Sequence, residues 1–383
     1  MTSIYFDHAA TTPMRAEAIS AYADAAGAGP GNPSSLHAFG RSARGRVTAA
    51  RDTLAQLLGC SPSELVFTGS GTESDNTALF GAARAQRAKG RTGIVTSSVE
   101  HHAVLHACDK LKEEGFRITL LPVDETGRVA VSEAEQAIDD TTAVVSIMAG
   151  NNETGTLQPY AEIAQIAKNR GAVMHVDAVQ AFGYEPIDLQ SVPVDLLSVS
   201  AHKINGPQGV GLLFVRRGTP FQPLLYGGNQ ERARRAGTEN VAGIAAFAEA
   251  ARLSAGDLDA RRSHAEQIRQ AFLQALETEL GRDAFVLNGN AVHRLPHIAN
   301  ISFLGLNSET MLMNLDLAGV AASAGSACTS GSLQPSHVLT AMNLPRERVQ
   351  SAIRFSFGLG NTTAEAEKTA KIVATISARL RNR

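Results

Sequence analysis

The sequence predicts an α/β protein: a large domain built on a mostly parallel sheet flanked by helices, joined to a smaller α+β domain. Three observations carry that expectation. Short apolar, β-branched runs alternate with amphipathic stretches through the first two thirds of the chain. The 383 residues exceed the roughly 250 to 300 at which a single hydrophobic core stops growing. From Val241 a long helical pattern interrupts the alternation, and strand-like sequence returns only at Ile301.

Taken in order, LVFT at 65–68 is a strand that turns into an amphipathic helix over Thr72 to Lys89. GIVTSS at 93–98, RITLLPV at 117–123, AVVSIM at 143–148 and AVMHVD at 172–177 are further strands. Between the last two, Pro159 to Arg170 reads as a helix opened by a proline, which the first helical position tolerates. Helices inserted between strands favour parallel pairing, because a parallel connection needs a crossover. VDLLSVS at 194–200 and GVGLLFV at 209–215 add two strands, separated by a short loop, His202 to Gln208, that contains Gly206 and Pro207. AAFAEAARL and HAEQIRQAFLQALETEL then continue the helical pattern before ISFLGL at 301–306. We place the large domain at 15–254 and the smaller one at 1–14 with 255–383. Ser323 to Ser332, SAGSACTSGS, is the most biased segment, and its glycines and serines favour mobile irregular backbone over a packed element.

Composition narrows the function classes. The chain is 44% hydrophobic and 19% charged with a formal net charge of −2, which fits a globular protein and leaves no basic footprint for direct nucleic-acid binding. No apolar run approaches the roughly 20 residues of a membrane span, and MTSIYFDHAATT lacks a basic-then-apolar signal region. The expected location is cytoplasmic, without a membrane partner. Cys60, Cys108 and Cys328 follow no disulfide-framework or metal-knuckle spacing, so each is read singly.

The chemistry begins with Ser-x-His-Lys at 200–203. The lysine emerges at the carboxyl end of a strand, where ligands of open α/β sheets bind. A lysine amine there, its pKa lowered by apolar surroundings, can hold an aldehyde; the plain alternative is a solvated loop lysine. Asp177 lies 26 residues earlier at the end of AVMHVD, at the same sheet edge. It can keep a pyridine nitrogen protonated, or simply cap a helix over AVQAF. TGSGTES at 68–74 runs from a strand into a helix, where unpaired backbone N–H groups bind phosphate; capping by Ser70 or Thr72 is again the alternative. Phosphate site, pyridinium partner and Schiff-base lysine in one alternating region are the parts of a pyridoxal phosphate (PLP) site.

Four more residue readings surround that constellation. His101, at another strand end, can stack on the cofactor ring and exchange protons, or be structural. His101, His102, His106 and Cys108 also form a metal-like cluster, but no further ligand follows at a motif spacing and no metal is expected. Cys328, among small polar residues, has the access a reactive thiol needs, whereas Cys60 and Cys108 lie in patterns typical of small buried hydrophobes. Arg354 interrupts the apolar strand AIRFSFG, where it must meet a carboxylate, either that of a substrate or an internal Asp or Glu.

These stretches resemble the cysteine desulfurases of the NifS/IscS type, class-V aminotransferases of PLP fold type I, over essentially the whole chain. The landmarks are YFDHAATTP, GNPSSLH, TGSGTESDN, SSVEHHAV, NNETGT, HVDAVQ, SVSAHKINGPQGVG, RRAGTEN and GSACTSGSLQPSHVL, the last matching the group with a long catalytic loop. The resemblance implies Lys203 as the aldehyde-bearing lysine, Asp177 on the pyridine nitrogen, Gln180 and Asn152 near the ring hydroxyl, and His101 stacked on the ring. It implies Gly71, Thr72, Ser200 and His202 at the phosphate, joined by Thr238 from the other subunit of a homodimer. Arg354 and Asn152 would take the carboxylate of L-cysteine, with Asn32 nearby. Lys203 would remove the α-proton and Cys328 would take the sulfur as a persulfide, leaving L-alanine. The sulfur would pass to an acceptor such as an iron–sulfur scaffold or a tRNA thiolation enzyme, with a cluster in transit able to touch Cys328. Gln208, Ala324 and Ala236 depart from the family pattern without removing a named chemical group. The rivals are a selenocysteine lyase or aminotransferase of the same fold, a PLP-free scaffold, and a zinc hydrolase built on the His101 cluster.

Overall fold

The computed structural model describes residues 3–325 and 335–381. β1 (Ile4–Tyr5), α1 (Ala16–Gly27) and α2 (Ala38–Leu58) lead into β2 (Leu65–Thr68). Helices and strands then alternate: α3 (Gly71–Arg87), β3 (Gly93–Ser97), α4 (His102–Glu113), β4 (Arg117–Leu121), α5 (Val131–Ala137), β5 (Thr142–Ser146), α6 (Tyr160–Asn169) and β6 (Val173–Asp177). β7 (Leu196–Ser200) and β8 (Gly211–Val215) complete the large sheet before α7 (Val241–Gly256) and α8 (Leu258–Leu280). The rest runs β9 (Phe285–Asn288), β10 (Ile298–Phe303), α9 (Ser308–Leu317), β11 (Val320–Ala321), α10 (His337–Ala341), α11 (Arg346–Gln350), β12 (Ala352–Ser356) and α12 (Thr363–Arg381).

The large sheet has seven strands in the order β2-β8-β7-β6-β5-β3-β4. Only β8 opposes its neighbours; β2 is antiparallel to β8 and β8 to β7, so β2 runs the same way as β7 and the parallel set. Every residue of β3, β5, β6, β7 and β8 is buried, which is why these strands read as continuous apolar runs rather than alternating ones. The edge strand β4 keeps Arg117 exposed, a charge that discourages pairing with another chain. The common direction brings Thr68, Asp177 and Ser200 to one edge of the sheet, at the carboxyl ends of β2, β6 and β7.

The predicted elements lie where the pattern put them, shifted by a residue or two at their ends, except β10, which lies three residues before the predicted 301–306. α3 starts at Gly71 because Ser70 Oγ accepts from the Glu73 N–H at 3.1 Å and so caps the helix. Pro159 is the N-cap of α6, with φ −80° and ψ 50°, and the first helical residue is Tyr160.

A second apolar core joins the two ends of the chain. β12, β10 and β9 form an antiparallel sheet, and β1 pairs in parallel with β11 through Ile4 opposite Val320. Phe6, Phe272, Phe303, Phe355 and Phe357 fill its centre with Ile4 and Val373. Phe6 meets Phe357 edge-on at 5.0 Å between ring centroids. Truncating Phe272, which also packs against Phe355, would cost about 3–5 kcal/mol. This packing fixes the start of the chain, and the residues after β1 are thereby laid across the carboxyl edge of the large sheet.

Candidate active site

A cavity of about 200 Å³ opens at that edge and is lined by Lys203, Asp177, Gly71, Thr72, Ser200, His202, His101, Gln180, Asn152 and Arg354. Nine predicted site residues from five strand ends and their loops therefore meet Arg354, from the middle of β12, in one place.

Lys203 ends a single 3-10 turn, Ala201–Lys203, that follows β7. The turn is tight: a Cβ on Gly206 would lie 2.8 Å from the Ala201 carbonyl oxygen. Lys203 Nζ donates to the carbonyl oxygens of Ala9 and Ala10 at 2.5 and 2.8 Å. The preceding His202 is held by the same N-terminal segment, its Nδ1 lying 3.1 Å from Thr11 Oγ1 and its carbonyl accepting from Thr12 Oγ1 at 2.7 Å. Burial, with Lys203 alongside, lowers the His202 pKa to about 4, so its ring is neutral near pH 7.

Asp177 is buried at the end of β6, and its Oδ1 accepts from the Val179 N–H at 2.9 Å. It caps a turn and not a helix, so the capping alternative is only half met. Burial pushes its carboxyl up to about 6, against the pull of the Val179 N–H and of Lys203. Asp75 of α3 lines the same cavity, fully buried, and its pKa is raised by burial and by the charge of Asp177. Two carboxyls that resist ionisation beside a lysine form a site that would gain from a buried cation.

The anion end of the cavity is the start of α3. Ser70 is extended with φ −173°, and Gly71 packs so closely that a Cβ there would lie 2.8 Å from Val179 Cγ2. The first N–H groups of a helix have no partner within it. Ser200 Oγ, directly opposite, is buried without a hydrogen-bond partner among the described residues. A buried acid for a pyridine nitrogen, an amine for an aldehyde, and a helix N terminus beside an orphaned hydroxyl fit PLP.

His101 caps α4, its Nδ1 accepting from the Ala103 N–H at 3.1 Å. Burial first, then the nearby Lys203, lowers its pKa to about 4, so the ring is neutral and its proton sits on Nε2. The i, i+4 pair His102 and His106 stacks ring on ring at 5.0 Å, with His337 against His102 at 4.4 Å. Among the described residues, no group of three or more His, Cys, Asp or Glu side chains is placed to hold a metal ion. Cys108 is buried and Cys60 half-buried, and burial pushes both thiols up to about 12.

Arg354 on β12 is almost fully buried. Its Nη1 donates to the Asn152 carbonyl and its Nη2 to Asp7 Oδ1, both at 2.9 Å. The internal reading of this arginine is met by Asp7, and the side chain also lines the cavity. Gln180 Nε2 donates to the Ala9 carbonyl at 2.8 Å.

Two predicted residues are not part of this wall. Asn32 is exposed, its Oδ1 accepting from the Ser34 N–H at 2.9 Å, and Thr238 is exposed on the segment before α7. Cys328 lies outside the described residues. Sequence reasoning missed the carbonyls of Ala9 and Ala10, although they belong to the YFDHAATTP landmark, and it missed Asp75, which lies on the cavity side of α3, four residues after Gly71.

The model of the class-V aminotransferase family matches residues 4–368. A putative cysteine desulfurase IscS 1 of Bacillus subtilis is 48% identical over 99% of this chain and 100% of its own length. A cysteine desulfurase IscS of Dictyoglomus turgidum is 44% identical, covering 99% of this chain and 95% of the relative. Among solved structures, a NifS-like protein superposes with a TM-score of 0.92 at 35% identity, over 99% of this chain and 100% of that one. A NifS-like protein from Rickettsia africae superposes at 0.86 with 28% identity over the whole of both chains.

Proposed function

We propose, for a chain that belongs to the class-V aminotransferase family and within it to the cysteine desulfurases, that Lys203, Asp177 and Cys328 carry the reaction. The chain is a PLP-dependent cysteine desulfurase: it takes sulfur from L-cysteine, leaves L-alanine and transfers the sulfur to an acceptor. The observation that best supports the residue roles is the meeting of Lys203, Asp177 and the N terminus of α3 around one cavity.

Bound PLP supplies an electron sink for the pair released when the α-proton of cysteine leaves. Asp177 keeps the pyridine nitrogen protonated; its own reluctance to ionise is relieved once a cation lies beside it. Gly71, Thr72, Ser200 and His202 would hold the phosphate, Gln180 and Asn152 would serve the ring hydroxyl, and neutral His101 would cover the ring. Arg354 and Asn152 receive the substrate carboxylate, with Asn32 nearby; the buried Nε of Arg354 has no hydrogen-bond partner among the described residues. Lys203 takes the α-proton. Cys328, as thiolate, forms the new S–S bond to the substrate sulfur while the C–S bond breaks, so that the sulfur remains on Cys328 as a persulfide and the three-carbon product is protonated and released.

The same reading includes a homodimer in which Thr238 completes the partner's phosphate site. It is supported by the exposure of Thr238 and by exposed Leu36, Phe39, Leu225 and Tyr226, large apolar side chains that a partner would cover. It also includes the division into 15–254 and 1–14 with 255–383, a cytoplasmic location, and an iron–sulfur scaffold as acceptor, with a tRNA thiolation enzyme as the second choice. No helix among the described residues is long and apolar enough to cross a membrane.

Borohydride reduction followed by peptide mapping tests the cofactor assignment. The pyridoxyl group is expected on the peptide that contains Lys203; its recovery on another lysine would overturn the assignment.

A further inference from the structure

The turn that opens α3 carries an acid of its own. Glu73 lies in the first helical turn, and its Oε2 accepts from the Gly69 N–H at 2.8 Å. A carboxylate there suits the helix dipole, but it shares one helix end with the phosphate that Gly71 and Thr72 would bind, and two anions so placed repel. Arg235 meets Glu73 with paired contacts, Nε to Oε1 at 2.7 Å and Nη2 to Oε2 at 3.2 Å. Both side chains are only about one-fifth exposed, 21% and 20%, so solvent screens this pair less than a surface one.

Arg235 is brought there by an unusual stretch of backbone between β8 and α7. Glu231, Arg232 and Ala233 have φ values of 48°, 58° and 59°, a left-handed conformation that side-chain-bearing residues rarely adopt in succession. Buried Glu231 holds the stretch in place. Arg51 grips it through Nη1 to Oε2 at 2.8 Å and Nη2 to Oε1 at 2.6 Å, and the Phe67 N–H donates to the same Oε2 at 3.0 Å. Arg51 also donates to the Leu65 carbonyl at 2.6 Å, so the stretch is fastened to β2, the strand that runs into Gly69 and the α3 turn. Beyond it, Gly237 has φ 114°, and a Cβ there would lie 3.2 Å from Arg235 Nη1.

We infer that Arg235 is a positioning residue for the phosphate end of the cofactor site: it neutralises Glu73 so that the N terminus of α3 accepts a second anion, and the Arg51–Glu231 pair holds it in position. The inference rests on the reading of Gly71 and Thr72 as phosphate-binding.

Binding of PLP and of pyridoxal, which lacks the phosphate, to the full chain stripped of cofactor separates the possibilities. Arg235→Met should weaken PLP roughly tenfold, as expected for a lost charge-assisted contact, while pyridoxal affinity stays unchanged. Arg235→Lys should keep PLP affinity, because the charge remains. Adding Glu73→Gln to Arg235→Met should restore it, because the amide still accepts from the Gly69 N–H but no longer repels phosphate. Equal losses for PLP and pyridoxal, or a double variant that does not recover, would overturn the inference. Thr72→Val is the control on the underlying reading. If it lowers PLP relative to pyridoxal while Arg235→Met does not, the inference alone fails; if Thr72→Val leaves the ratio unchanged, the phosphate assignment fails with it.

Discussion

Arg354, on the wall of the cavity, forms an ion pair of 2.9 Å with Asp7, although 347 residues separate them. The Asn152 carbonyl accepts from Nη1, so a substrate carboxylate bound here would have the unpartnered Nε and would compete with Asp7 for Nη2. Planarity would allow one side chain to serve both partners. Arg354→Lys should therefore raise KM for cysteine about ten- to a hundredfold, the range for a lost charged hydrogen bond, and leave the cofactor absorbance in place. Steady-state kinetics with an unchanged KM would remove Arg354 from substrate binding.

Gly71 is required for its lack of a side chain. A Cβ would lie 2.8 Å from Val179 Cγ2 and 3.5 Å from Ser200 Cβ, so Gly71→Ala must move either the helix start or the turn after Asp177. PLP affinity should fall about tenfold, within the roughly 1–3 kcal/mol typical of overpacking, with the far-UV circular dichroism unaltered. An alanine variant that titrates with PLP like the wild type would show that the cradle has slack.

Glu100 gives a pH signature of the buried sheet edge. Its Oε1 accepts from Ser97 Oγ at 2.6 Å and from the Met148 N–H at 2.9 Å, while Oε2 is buried without a partner among the described residues. Burial pushes this carboxyl from an ordinary 4.5 up to about 8. Between those values the folded chain keeps a proton that the unfolded chain has lost, so this group makes stability fall as pH rises. Glu100→Gln keeps the acceptor and cannot ionise. It should melt above the wild type at pH 8 and converge with it near pH 4.5. A difference in melting temperature that does not change with pH would contradict the assignment.

Much of the fold and part of the site could be read from the residues alone. β3, β5, β6, β7 and β8 are buried on both faces, and their continuous apolar runs announce them. Lys203, Asp177 and the Gly71 turn each sit at a strand end followed by residues that break the strand, so local pattern finds them. What local pattern could not find are relations between distant segments. Lys203 Nζ bonds Ala9 and Ala10 across 194 and 193 residues, and Arg51 meets Glu231 across 180. Those meetings depend on β1 pairing with β11 and on the order of the large sheet, neither of which is written in any short stretch. Asp75 was hidden for a different reason: an acid in the first turns of a helix reads as a solvated face, and only the packing of α3 against the sheet shows that it is fully buried.

Sulfide and alanine release from L-cysteine in the presence of a reductant, with Lys203→Ala and Cys328→Ala beside the wild type, is the most direct test of the reaction. The wild type should give the two products in equal amounts, and both variants should be inactive on cysteine. Full activity of Cys328→Ala would contradict sulfur transfer through a persulfide and leave a lyase or aminotransferase reaction in its place.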